Sequence, residues 1–146
     1  MQPHDDGDGL DSPAPAGPAD PDALVRKFQK ELNAGLVALV LLAVLERAGD
    51  ELYGYQIAKQ LQGGADGLGV PVKQGALYPV LRTLSAQGLL TSRVVPSVAG
   101  PPRRYYRITD LGRTTLARWL EIWRRTRGFV EQATAGAAPP DPRIER

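Results

Sequence analysis

The chain has 146 residues, a formal net charge of +2, one histidine and no cysteine. Its length suits about one domain and its 42% apolar content can supply a core. The lack of cysteine excludes disulfides and thiol chemistry and is compatible with a reducing cytoplasm.

Charge is unevenly distributed. Residues 1–22 carry Asp5, Asp6, Asp8, Asp11, Asp20 and Asp22 and neither lysine nor arginine. Between Lys73 and Arg127 eleven basic residues face only Asp110 and Glu121. A surface of that sign attracts phosphate. Taken alone, it is also what a solvated basic face looks like.

Residues 1–21 are rich in Pro, Gly, Ala and Asp. They cannot bury enough surface to offset their ordering entropy, so a disordered acidic tail is expected there. His4 lies in this tail. Without cysteine or a second histidine it makes no metal site. The N-terminus lacks a basic segment followed by an apolar run, so no secretory signal is expected. No uncharged apolar run reaches ~18 residues, so no membrane partner is expected either.

Asp22 is a candidate cap for a helix over Ala23–Arg47. Its apolar residues run nearly all round between Leu36 and Leu45. Such a helix is central to the fold or also faces a partner chain. Gly49-Asp50 ends it. A second helix follows at about Gly54–Leu61, packing through Tyr55, Ile57, Ala58 and Leu61. The glycine-rich stretch Gly63–Gly69 lacks the Gly-Lys-Ser/Thr of a phosphate-binding loop. It is read as a flexible turn, and no cofactor is expected. Val70–Val72 is a candidate short strand.

Leu77, Leu81 and Leu84 recur at helical spacing, which predicts a helix over Gln74–Gln87 with one buried face. Pro79 argues for a kink by pattern alone. Gly88 is placed to end the helix with a positive φ. Leu89–Val95 reads as a strand, Pro96–Pro102 as the tip of a hairpin, and Arg103–Ile108 as the return strand. Alternation sends Arg103, Tyr105 and Arg107 to one side and Arg104 and Tyr106 to the other. Thr109 or Asp110 caps a last helix ending near Gln132, and residues 133–146 read as a second disordered tail. The fold class expected is mainly α with a small β-hairpin: a winged helix-turn-helix over residues 22–109, followed by a helix over 110–132.

A helix followed by a basic two-stranded ribbon suits duplex DNA, with the helix in the major groove and the ribbon along the backbone. Candidate DNA-binding residues are Lys73, Gln74, Tyr78, Arg82, Arg103, Arg104 and Arg107. Gln74 matches an adenine edge, and Lys73 and Arg82 suit guanine or phosphate. Tyr78 either donates to a phosphate or packs on the hairpin. Trp119 and Trp123 lie four apart on the last helix. They are either a wall for flat effectors or filling for a dimer core. That helix has an apolar stripe that little of its own domain is left to cover, which points to a homodimer. No nucleophile–base or carboxylate pair is suggested by spacing, so an enzyme is not expected. The competing reading is a winged-helix module for protein contact.

Four pieces, in order, resemble the PadR family of transcriptional regulators: Tyr53-Gly-Tyr55, Gly75-Ala-Leu-Tyr-Pro-Val-Leu81, Gly88-Leu-Leu90, and Gly100-Pro-Pro-Arg-Arg-Tyr-Tyr-Arg-Ile-Thr-Asp-Leu-Gly112. The resemblance spans about Leu36 to Trp123 and implies that the helix continues through Pro79. It further implies a cytoplasmic repressor that binds a palindromic operator as a homodimer, released in some members by small aromatic compounds. A single helix after the wing resembles the small form of the family. In that form the first and last helices build the dimer, and the position of Trp123 lines the effector pocket of multidrug-binding members.

Overall fold

The computed structural model describes residues 17–18, 20–62 and 74–137. The predicted turn at Gly63–Gly69, the candidate strand Val70–Val72, Lys73 and most of both predicted tails lie outside them. The elements are α1 (Pro21–Ala48), β1 (Leu52–Tyr53), α2 (Gly54–Leu61), α3 (Gln74–Ala86), β2 (Leu90–Val95), β3 (Arg103–Ile108) and α4 (Asp110–Ala133). The chain divides into two units, one up to Ala34 and one from Gly35 onward.

In the first unit, Asp20 rather than Asp22 caps α1. The Asp20 carboxylate accepts the Asp22 backbone N–H at 3.1 Å, and the Asp20 carbonyl accepts that of Leu24 at 3.1 Å. An N-cap is non-helical, whereas Asp22 is already within the first turn. Leu24, Val25, Phe28 and Leu32 are exposed in this unit.

The second unit holds the core. Val37, Leu41, Leu42 and Leu45 of α1, Ile57 and Leu61 of α2, and Leu77, Leu81 and Leu84 of α3 are buried together with Leu90, Tyr106, Ile108 and Leu116. A fully buried leucine contributes about 1.5–3 kcal/mol relative to exposure. By length and composition α1 is long and apolar enough to cross a membrane. Its buried leucines instead belong to this shared core, the arrangement of a central helix in a small domain.

Gly49 closes α1 at φ +64°, a conformation open to glycine at no steric cost. Pro79 leaves α3 continuous. It lies early in the helix, and its carbonyl accepts the Thr83 hydroxyl at 3.0 Å. Gly88, at φ +79°, ends α3 in a Schellman motif. Its N–H reaches the Ser85 carbonyl at 3.0 Å, and the Leu89 N–H reaches that of Leu84 at 2.9 Å.

The sheet has three antiparallel strands in the order β1-β3-β2. Of these strands, sequence predicted the hairpin pair but not β1. The two-residue β1, pairing Leu52 with Tyr106 and Tyr53 with Tyr105, is too short to leave an alternating signal. In β2–β3, Leu90 opposes Ile108 and Val95 opposes Arg103. The hairpin is locked to α4 at one corner. Thr109 donates its hydroxyl to the Gly88 carbonyl at 2.7 Å and accepts the Gly112 N–H at 3.0 Å. A Cβ on Gly112 would lie 2.3 Å from the Leu89 carbonyl oxygen, so the close crossing requires glycine.

Candidate nucleic-acid interface

Strand alternation divides the basic residues between the two faces of the sheet. On the outer face, Arg93 forks onto Glu51, its Nε 2.9 and 2.8 Å from the two carboxylate oxygens. Arg107 reaches Asp50 at 3.3 Å. The Arg93 guanidinium holds the Glu51 carboxyl below its ordinary value. Arg103 lies over the Tyr53 ring, 4.5 Å from its centroid, a cation–π contact. Tyr53 also meets Tyr105 edge-on at 5.4 Å and Tyr55 in a stacked arrangement at 6.4 Å. Tyr53 therefore ties the start of α2 to β3 of the hairpin.

The inner face looks toward α3. Tyr106 is only 2% exposed there, and burial pushes its phenol pKa upward, opposed by Arg104 and Arg82. Arg104 donates to the Ser92 hydroxyl at 3.0 Å. Tyr78, Arg82 and Ser85 of α3 complete a groove of about 490 Å³ with Ser92, Arg104 and Tyr106. No carboxylate lines it. Among the described residues neither Arg82 nor Arg104 has an acidic partner.

At the N-terminal end of α3 the Gln74 side-chain amide donates to the Tyr78 hydroxyl at 3.0 Å. Tyr78 is 39% exposed and lies against Gly54, where a Cβ would come within 2.9 Å of its hydroxyl oxygen. This tyrosine thus packs on the start of α2. A groove of about 510 Å³ joins Tyr53, Tyr55, Gln74 and Tyr78 to Pro101, Pro102, Arg103 and Arg104, where β3 leaves the tip of the wing.

Of the residues singled out from sequence, Gln74, Tyr78, Arg82, Arg103 and Arg104 line these two grooves. Arg107 does not. It lies on the outer face, engaged with Asp50. Lys73 is outside the described residues. Trp119 and Trp123 are half-buried on α4, with Trp119 packed against the core, and neither lines either groove. Sequence reasoning missed Tyr53, Ser85 and Ser92 as parts of this region. The alternation of β2 against β3 carries the signal for Ser92, which faces the same side as Tyr106.

The match to the Transcriptional regulator PadR-like family covers residues 41–118. The chain is 39% identical to the transcriptional regulator Rv3488 of Mycobacterium tuberculosis over 95 residues, 63% of this chain and 76% of that protein. Among solved structures, a PadR family transcriptional regulator from Eggerthella lenta superposes with a TM-score of 0.67 at 32% identity, covering 79% of this chain and 96% of that one. A PadR-like transcriptional regulator from Bacillus cereus does so with a TM-score of 0.58 at 25% identity, covering 73% and 98%. With the basic helix-and-wing face, these matches identify the chain as a member of the PadR-like family, DNA-binding transcriptional regulators of winged-helix fold and not enzymes.

Proposed function

We propose that this protein represses transcription by binding a palindromic operator as a homodimer, with α3 in the major groove and the β2–β3 hairpin along the adjacent backbone. The observation that carries this reading is the pair of carboxylate-free grooves that Arg82, Arg103 and Arg104 line between them. Cations without acidic partners are available to phosphate. Gln74 and Tyr78 sit at the exposed end of α3, where base edges and phosphates are within reach of a docked helix. Lys73 immediately precedes Gln74 in sequence and adds a cation for phosphate or guanine. The homodimer is supported by Ile122, Phe129 and Val130, which α4 leaves exposed. Leu24, Val25 and Phe28 of the first unit are apolar and exposed in the same way. Release by a flat aromatic compound would use Trp119 and Trp123, and the site of action is the cytoplasm.

The test is binding of the purified chain to DNA upstream of its own gene and to a scrambled duplex, at several salt concentrations. Selective binding that weakens steeply with salt and is lost in Arg103→Ala/Arg104→Ala is the expected result. Each neutralised phosphate adds ~0.9 to the slope of log affinity against log salt. Salt-insensitive or absent binding by a folded protein would favour a protein-contact module instead.

A further inference from the structure

We infer that the inner groove between α3 and the hairpin is an oxyanion seat for one phosphate of the DNA backbone, held by Arg82 and Arg104 and completed by the hydroxyls of Ser85 and Ser92. The inference rests on the operator-binding reading and assigns two residues to it that neither motif nor charge pattern indicates.

The serines are the informative part. The Ser85 Oγ is buried and has no hydrogen-bond partner among the described residues. Leaving such a group unpaired costs free energy, and because Ser85 lines the groove, a turn of its side chain toward the two arginines would let the hydroxyl donate to an anion there. The Ser92 Oγ accepts from Arg104, which leaves its own O–H free to donate. The groove combines two guanidinium groups, two hydroxyl donors and no carboxylate. The buried Tyr106 forms an apolar wall of the groove, and low local polarity strengthens charge-assisted hydrogen bonds to an oxyanion. The outer face provides the contrast. Its groove is also lined by two arginines, Arg93 and Arg107, but Glu51 lies between them. An anion there would have to displace a carboxylate already bound.

A phosphate seated between a major-groove helix and a wing belongs to the strand that separates the two grooves. It fixes register without reading sequence. A single position in each half-site should therefore dominate the backbone contribution.

The experiment takes a duplex selected by the full-length protein from a random pool and replaces each phosphate in turn by a neutral methylphosphonate. One position per half-site is expected to cost about tenfold or more in affinity, the scale of a charge-assisted contact. In Arg104→Met that position should cease to matter while the others keep their effects. Ser85→Ala and Ser92→Ala should weaken binding by several-fold, and Ser85→Ala should leave thermal stability unchanged or raise it, which a structural role would not do. Equal small effects at every phosphate, or a dominant position that still matters in Arg104→Met, would overturn the inference. If the unsubstituted protein selects no duplex, the operator reading itself falls. Inorganic phosphate is then the probe: shifts of the Ser85 and Ser92 amide resonances that vanish in Arg82→Met/Arg104→Met assign the seat to a free phosphoryl ligand, and no shifts reject the seat.

Discussion

The two faces of the small sheet carry the same kind of residue to different ends. Outer-face Arg93 and Arg107 are held by Glu51 and Asp50. Inner-face Arg104, with Arg82 across the groove, has no acidic partner among the described residues. Neighbours in sequence, Arg103 and Arg104 also diverge, one resting on an aromatic ring and the other on a serine hydroxyl. Positive charge counted along a sequence therefore overstates the surface available to phosphate. What matters is which cations the fold has already neutralised.

The strongest way to break this contrast is to remove the framework that carries both faces. Gly112→Ala places a methyl group against the Leu89 carbonyl, and backbone atoms there must move. A loss of about 3 kcal/mol or more in chemical denaturation is expected, and both faces should fail together. A small loss would mean that the α4 corner does not set the hairpin.

Next in size is a direct comparison of faces. Arg104→Ala should weaken DNA binding by about tenfold to a hundredfold and lower the salt slope by ~0.9. Arg107→Ala should weaken it by less than about threefold, because an exposed ion pair contributes little and the residue lies on the far face. Equal losses in the two variants, measured on the same duplex, would erase the distinction between the faces.

The smallest effect concerns acid. Glu51 has its carboxyl pKa lowered by Arg93, first through their hydrogen bonds. Its contribution to stability is therefore complete above the ordinary carboxylate value of 4.5 and is lost as pH falls through the lower folded value. Glu51→Gln should flatten the stability profile in that acid window and leave DNA affinity at neutral pH almost unchanged. An unaltered acid profile would show that the outer-face pair is not what holds Glu51 ionised.

Much of this architecture is legible in the sequence because its signals are local. Leucines at helical spacing mark the buried face of α3, Gly88 has the αL conformation that ends it, and alternation along β3 separates Tyr105 from Tyr106, of which the fold buries Tyr106. What escapes depends on contacts between distant segments. The pairing of Tyr53 with Tyr105 makes β1 a strand although its two residues carry no pattern of their own. Arg107 looks identical to Arg104 until Asp50, far away in the chain, is brought beside it. Ser85 reads as an ordinary helical serine. Only the fold buries its hydroxyl at the edge of a basic groove.

The pairing of β1 with β3 also governs the order of events during synthesis. Leu52 and Tyr53 emerge long before Tyr105 and Tyr106, and among the described residues no nearer segment supplies the partner strand. Such nonlocal pairings come late because the intervening chain must be closed first. The start of α2 therefore waits, with Tyr53 lacking both Tyr105 and Arg103, until β3 has been made. A polypeptide interrupted before Arg103 lacks not only its wing but also the anchor for α2.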